Sequence, residues 1–150
     1  MTVKEHIEKN LKTAMLAGDK PLVTTLRGLK SALLYAEVAA NTRDSGISDS
    51  EAISVLQKEA KKRQESIAMY RQGGNEAKAN DEEAELVVIQ EFLPAQMSES
   101  EIGDLVKTEA ERLSISDAKQ MGQLIGAVKQ ATSGAADGAI IARLVKEYFA

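Results

Sequence analysis

The sequence predicts an all-α protein: an N-terminal bundle of about four helices followed by a small C-terminal three-helix domain. Three observations predict this. Apolar residues recur at helical spacing along nearly the whole chain, and no segment shows the sustained alternation of a half-buried strand. Boxes of the form S/T-x-x-E, which satisfy the free N–H groups at a helix start, stand before three of the apolar rows. Aromatic residues are only 3% of the 150 and Trp is absent, so the core must be built from Leu, Ile, Val, Ala and Met, a set that suits helices better than a sheet.

The elements follow in order. Thr2 and Glu5 form the first box, ahead of a row at Val3, Ile7, Leu11 and Met15. Gly18 ends that helix, because glycine adopts the left-handed conformation cheaply. Asp19 caps the second helix, Pro21 fits its first turn, and its row is Leu22, Leu26, Leu29 and Leu33, extended to Val38. "NTRDSGISDS", residues 41–50, is a polar loop rich in turn formers. Ser48 and Glu51 box the third helix, whose row is Ile53, Leu56, Ala60, Ile67 and Tyr70. That row is broken near Arg63 and Gln64, where an apolar residue is due, so Arg63 is expected to meet an acid of a neighbouring helix. Gly73 and Gly74 close it. A fourth helix starts near Asn75 and becomes strongly apolar at Leu86, Val87, Ile89, Phe92 and Leu93.

Pro94 disfavours helical geometry in Leu93, and Ser98 with Glu101 supplies the third box, so "LPAQMSES" is the clearest boundary in the chain. The expected bodies are therefore residues 1–93 and residues 95–150. The second holds helices near 99–113, 117–131 and 138–149. Their rows are Ile102, Leu105, Val106 and Leu113; then Met121, Leu124, Ile125 and Val128; then Ile140, Ile141, Leu144, Val145 and Tyr148.

Composition narrows the function. Without cysteine there is no disulfide, thiolate zinc site or thiol nucleophile. No apolar run approaches the roughly 18 residues of a membrane span. The first residues carry acids and no apolar signal region, so a cytoplasmic protein without a membrane partner is expected. The net charge of -4 argues against a generally basic nucleic-acid binder but leaves room for a local basic patch.

Few residues carry a signature of chemistry. The one histidine, His6, sits between acids near the terminus and reads as an ordinary surface residue. There is no G-x-S-x-G elbow, Walker loop or G-x-G-x-x-G, so neither a catalytic residue nor a cofactor is expected. "NDEEAE", residues 80–85, groups Asp81, Glu82, Glu83 and Glu85. On a helix these fan around the circumference, which favours a solvated face over a metal site, and no metal is expected. "KEAKKRQES", residues 58–66, concentrates Lys58, Lys61, Lys62 and Arg63. An exposed helix face is the favoured reading of it and RNA phosphate contact the alternative. Gly122 and Gly126 stand four apart in "KQMGQLIGAVK". Each costs roughly 1 kcal/mol relative to alanine inside a helix. Tight packing against a neighbouring helix is the favoured reading, and a smooth surface for a ligand's backbone is the alternative. In "QATSGAADGAII", residues 130–141, Thr132, Ser133 and Gly134 end one helix. Asp137 caps the last, with Gly138 at its first position, so the stretch reads as a tight helix-turn-helix corner.

Taken together, "TLRGLKSAL", "KEAKKRQESI", "EFLPAQMSESEI", "MGQLIGAV" and "GAADGAIIARLV" make the chain resemble the GatB/YqeY family over nearly its whole length. The chain looks like a free-standing YqeY-like protein. It is also similar to the C-terminal tail of the B subunit of the tRNA-dependent amidotransferase, which amidates misacylated Glu-tRNA(Gln) or Asp-tRNA(Asn). The resemblance implies tRNA recognition by the C-terminal domain. It carries the family label of carbon-nitrogen ligase with glutamine as amido-N-donor, although the catalytic parts of that enzyme lie in segments this chain lacks. The expected partners are tRNA or a protein of the translation machinery; a helical protein-protein interaction adaptor is the alternative function. Under the tRNA reading Lys119, Lys129, Arg143 and Lys146 contact phosphates, and Gly122, Gly126 and Gly134 permit close approach. One departure stands out: the family turn usually carries Lys or Arg where this chain has Ala135. Residues 113–150 hold four bases against three acids, whereas residues 1–112 carry a net of -5.

Overall fold

The computed structural model describes all 150 residues and contains seven α-helices, one short 3-10 turn and no strand. The helices are α1 (Val3–Ala17), α2 (Lys20–Ala39), α3 (Asp49–Gln72), α4 (Glu76–Glu91), α5 (Glu99–Arg112), α6 (Met121–Thr132) and α7 (Gly138–Tyr148). They gather into two compact units, Met1–Leu93 and Pro94–Ala150. No helix is long and apolar enough to cross a membrane.

In the first unit the punctuation predicted from sequence sets the helix starts. At Thr2 and Ser48 both halves of the capping box form, with the hydroxyl accepting from the N–H of Glu5 and Glu51 and each glutamate reaching back to the cap. Gly18 takes φ +71° and donates its N–H to the last carbonyls of α1. Asp19 and Asn75 cap α2 and α4 through their side chains. The core joins Ile7 and Leu11 of α1, Leu26, Leu29 and Leu33 of α2, Ala52 and Leu56 of α3, and Ile89 and Phe92 around the end of α4.

Three positions in the predicted rows point outward. Met15, Val38 and Val87 are each more than half exposed, and Ala14, Glu37 and Ile89 are the buried residues at those turns. With 3.6 residues per turn, a row drifts between i+3 and i+4, and the packed partner selects which step is taken. At the end of α2 the selected residue is a charge. Glu37 is fully buried; it accepts from Lys4 Nζ at 2.8 Å and from the Ile47 N–H at 3.2 Å. Its carbonyl accepts from the Thr42 N–H at 2.8 Å, so one residue fastens α1 and the 41–48 loop to α2. Its other carboxylate oxygen, Oε2, is buried without a partner. The Lys4 ammonium is the largest cause holding the Glu37 carboxyl below its ordinary pKa, against the opposing pull of burial.

The second unit has its own core: Ile102, Val106 and Ala110 of α5, Ile115 in the segment after it, Leu124 and Val128 of α6, Ala136 in the corner, and Ile141 and Val145 of α7. Ser98 and Glu101 complete the third capping box. The helix predicted near 117–131 divides. Asp117 caps a 3-10 turn over Ala118–Gln120, accepting from the Lys119 N–H at 2.9 Å, and the α-helix proper starts at Met121.

Candidate nucleic-acid interface

On α6 the buried residues are Leu124, Val128 and Thr132. Gly122, Gly126 and Lys129, at i, i+4 and i+7, therefore share the outward face. All three are exposed. A Cβ built on Gly122 or Gly126 would meet no atom within 4 Å. This corrects the packing reading of the pair: no neighbouring helix approaches them, and both glycines leave open surface. The division of the helix also puts Gly122 in its first turn, so only Gly126 bears the full interior cost of roughly 1 kcal/mol relative to alanine.

The face runs into the corner between α6 and α7. Ser133 (φ 47°) and Gly134 (φ 87°) are consecutive left-handed residues that reverse the chain. Ala135 donates its N–H to the Thr132 carbonyl at 2.9 Å and accepts at 2.7 Å from the Met97 N–H, so the corner is pinned from both sides. Asp137 caps α7 by accepting from the Ala139 N–H at 2.6 Å. Gly138 follows, and the Cε of Lys129 lies 3.2 Å from where a Gly138 Cβ would stand. The lysine stem thus crosses the start of α7, and Gly138 is the residue that leaves room for it.

The predicted cations divide. Lys119, Lys129 and Lys146 are exposed and make no ion pair. Arg143 is engaged: it pairs with Glu99 at the start of α5 at 2.5 Å and with Glu147 at 3.1 Å. Glu99 and then Glu147 raise the guanidinium pKa further above its ordinary value. Arg143 consequently braces α7 against α5, and contact with a phosphate would require it to exchange one of these carboxylates.

In the first unit the basic cluster at 58–63 is split. Arg63 turns into the α3–α4 contact, as the broken apolar row predicts, with Nε 2.8 Å from Glu85 and 3.6 Å from Glu82 and with Nη1 3.2 Å from Glu59. Lys62 also pairs with Glu59 at 3.2 Å. Lys58 and Lys62 border a groove against α2, and Lys61 is exposed without a pair. The acids of "NDEEAE" are correspondingly more structural than a solvated face: Glu82 and Glu85 hold Arg63, and Glu83 holds Arg71 at 2.9 Å. No group of three His, Asp or Glu stands together in a way that could hold a metal ion. His6 is exposed and sets its ring edge-on to Phe92, with centroids 5.0 Å apart.

Residues 4–149 match the family described as Yqey-like protein. The chain belongs to the YqeY-like family. A relative in Pyrenophora tritici-repentis (strain Pt-1C-BFP), "Altered inheritance of mitochondria protein 41, mitochondrial", is 29% identical over 149 residues, which cover 97% of this chain and 80% of the relative. The YqeY-like match therefore spans both units. Sequence reasoning missed Glu37 in this chain, although its place four residues after Leu33 was a usable signal.

Proposed function

We propose that this YqeY-like protein is an accessory tRNA-binding protein, related to the amidotransferase tail, whose C-terminal unit meets tRNA through the outer face of α6 and the corner that follows it. The observation that carries the reading is the open surface over Gly122 and Gly126. An interior glycine weakens a helix and is ordinarily offset by close packing. Here no packing uses it, and two unpaired lysines, Lys119 and Lys129, stand at the ends of the same stretch. A surface without side chains flanked by mobile cations suits a sugar-phosphate backbone, which is bound chiefly through charge and close approach. On this reading Lys119, Lys129 and Lys146 are the phosphate contacts, and Gly134 and Gly138 keep the corner compact. The chain supports binding without self-contained catalysis, and the amide-forming chemistry named in the family label is supplied by other proteins.

Electrophoretic mobility shift with total tRNA at low salt tests this. The native chain is expected to retard tRNA, and Lys119→Ala/Lys129→Ala to weaken retention about tenfold or more, each lost phosphate contact removing part of the electrostatic term. Absence of any retardation by the native chain at low salt would end the proposal.

A further inference from the structure

A groove runs between α2 and α3 in the first unit. It is open, with a volume of about 490 Å³. Its α2 wall is built from small residues at i, i+3 and i+4, namely Gly28, Ser31 and Ala32, and Tyr35 stands one turn further along. Its α3 wall carries Val55 and, beyond it, Lys58 and Lys62.

Three features are unexplained by the unit's own packing. Gly28 lies in the interior of a 20-residue helix, where it costs roughly 1 kcal/mol relative to alanine. A Cβ there would meet nothing within 4 Å. Tyr35 is 77% exposed and makes no ring contact, and Val38, 56% exposed, extends the uncovered apolar surface by another turn. Lys58 makes no ion pair, and Lys62 shares Glu59 with Arg63. Glu59, the one acid in the wall, pairs with Lys62 and Arg63, so the wall carries two lysines, at i and i+4, against a single acid.

We infer that this groove docks an acidic amphipathic helix of a partner protein. Small residues at i, i+3 and i+4 let a second helix backbone come close, as in other groove-bound helices. The apolar stripe of the incoming helix would cover Ala32, Val55 and the Tyr35 ring. Carboxylates one turn apart on its flank would meet Lys58 and Lys62, matching the rim in sign and in spacing. A nucleic acid is disfavoured, because the walls between the rim lysines are mostly apolar and hold a single aromatic ring, where single-strand sites use successive stacking platforms.

The test uses the full chain and a fluorescein-labelled synthetic helix of about 18 residues with leucines at i, i+3, i+4 and i+7 and glutamates at i, i+4 on one flank. Fluorescence anisotropy should report saturable binding. Gly28→Trp fills the groove from a position with free space, and Lys58→Glu reverses the rim. Each should raise Kd about tenfold or more while the far-ultraviolet circular dichroism stays that of the native chain. A scrambled peptide and a peptide with lysines in place of the glutamates should not bind, and a single-stranded oligoribonucleotide should not compete. The inference is overturned if the acidic helix fails to bind, if both variants bind it as well as the native chain does, or if the oligoribonucleotide displaces it. It is equally overturned if sedimentation finds a dimer of the native chain that Gly28→Trp abolishes, since a second copy would then be the occupant.

Discussion

Glu37 is fully buried where α1 and the 41–48 loop meet α2. A carboxylate removed from water loses its hydration, and here one ammonium, one backbone N–H and no third donor replace it. Lys4→Met removes the largest of these and leaves the charge buried, so it is expected to destabilise the chain by about 2 kcal/mol at neutral pH, read as a fall in the urea midpoint. The pH dependence has a definite sign. The folded-state pKa of Glu37 lies below its ordinary value of 4.5, so its contribution is complete above that value and is lost as pH falls through the lower folded value. Denaturant titrations between about pH 6 and pH 3 should therefore find the native chain losing stability more steeply than Glu37→Gln. Parallel losses in the two proteins would count against this role for the carboxylate.

At the scale of the element, the α3–α4 hairpin is held by an ion-pair network where an apolar row would ordinarily continue. Arg63 serves Glu59, Glu82 and Glu85 together. Arg63→Ala would leave three carboxylates facing one another in a half-buried seam, so the expected loss is about 2 kcal/mol at neutral pH. That loss should shrink at high salt, which screens the three carboxylates from one another; an equal loss at low and high salt would contradict the network. This seam was legible in the sequence because the arginine sits in phase with Leu56, Ala60 and Ile67. The helix starts were legible for a similar reason, since capping boxes are local chemistry that needs no tertiary partner. Burial at Ala14 rather than Met15, and at Glu37 rather than Val38, was not, because the packed neighbour chooses between adjacent steps of the row. The glycines of α6 were found but misread in sequence. Spacing identifies a bare helix face, and only the structure distinguishes a face covered by a neighbour from one left open.

At the scale of the whole molecule, charge sets the terms of any RNA contact. The chain is acidic at -4, and the C-terminal unit itself holds eight acids against six bases. A binding surface confined to that unit must therefore work through a few lysines against an unfavourable local field. With Lys119, Lys129 and Lys146 as the unpaired cations, the logarithm of tRNA affinity should fall against the logarithm of salt with a slope of about -2 to -3. A much shallower slope would speak against phosphate contact, and a markedly steeper one would mean that Arg143 and further cations take part. At Ala135 the corner's backbone pinning is complete without a side-chain cation, so shape and charge at this turn are separable.

On the proposed function, the open glycine face of α6 is kept bare for a ligand at a cost in stability. Gly126→Leu tests it most directly, measured in one sample series for thermal midpoint and for tRNA retention in a mobility-shift assay. The side chain enters open space and gains helix propensity, so stabilisation by roughly 1 kcal/mol is expected, together with a loss of tRNA affinity of about tenfold. A variant that gains stability and retains tRNA as well as the native chain would show that the bare face serves no such ligand.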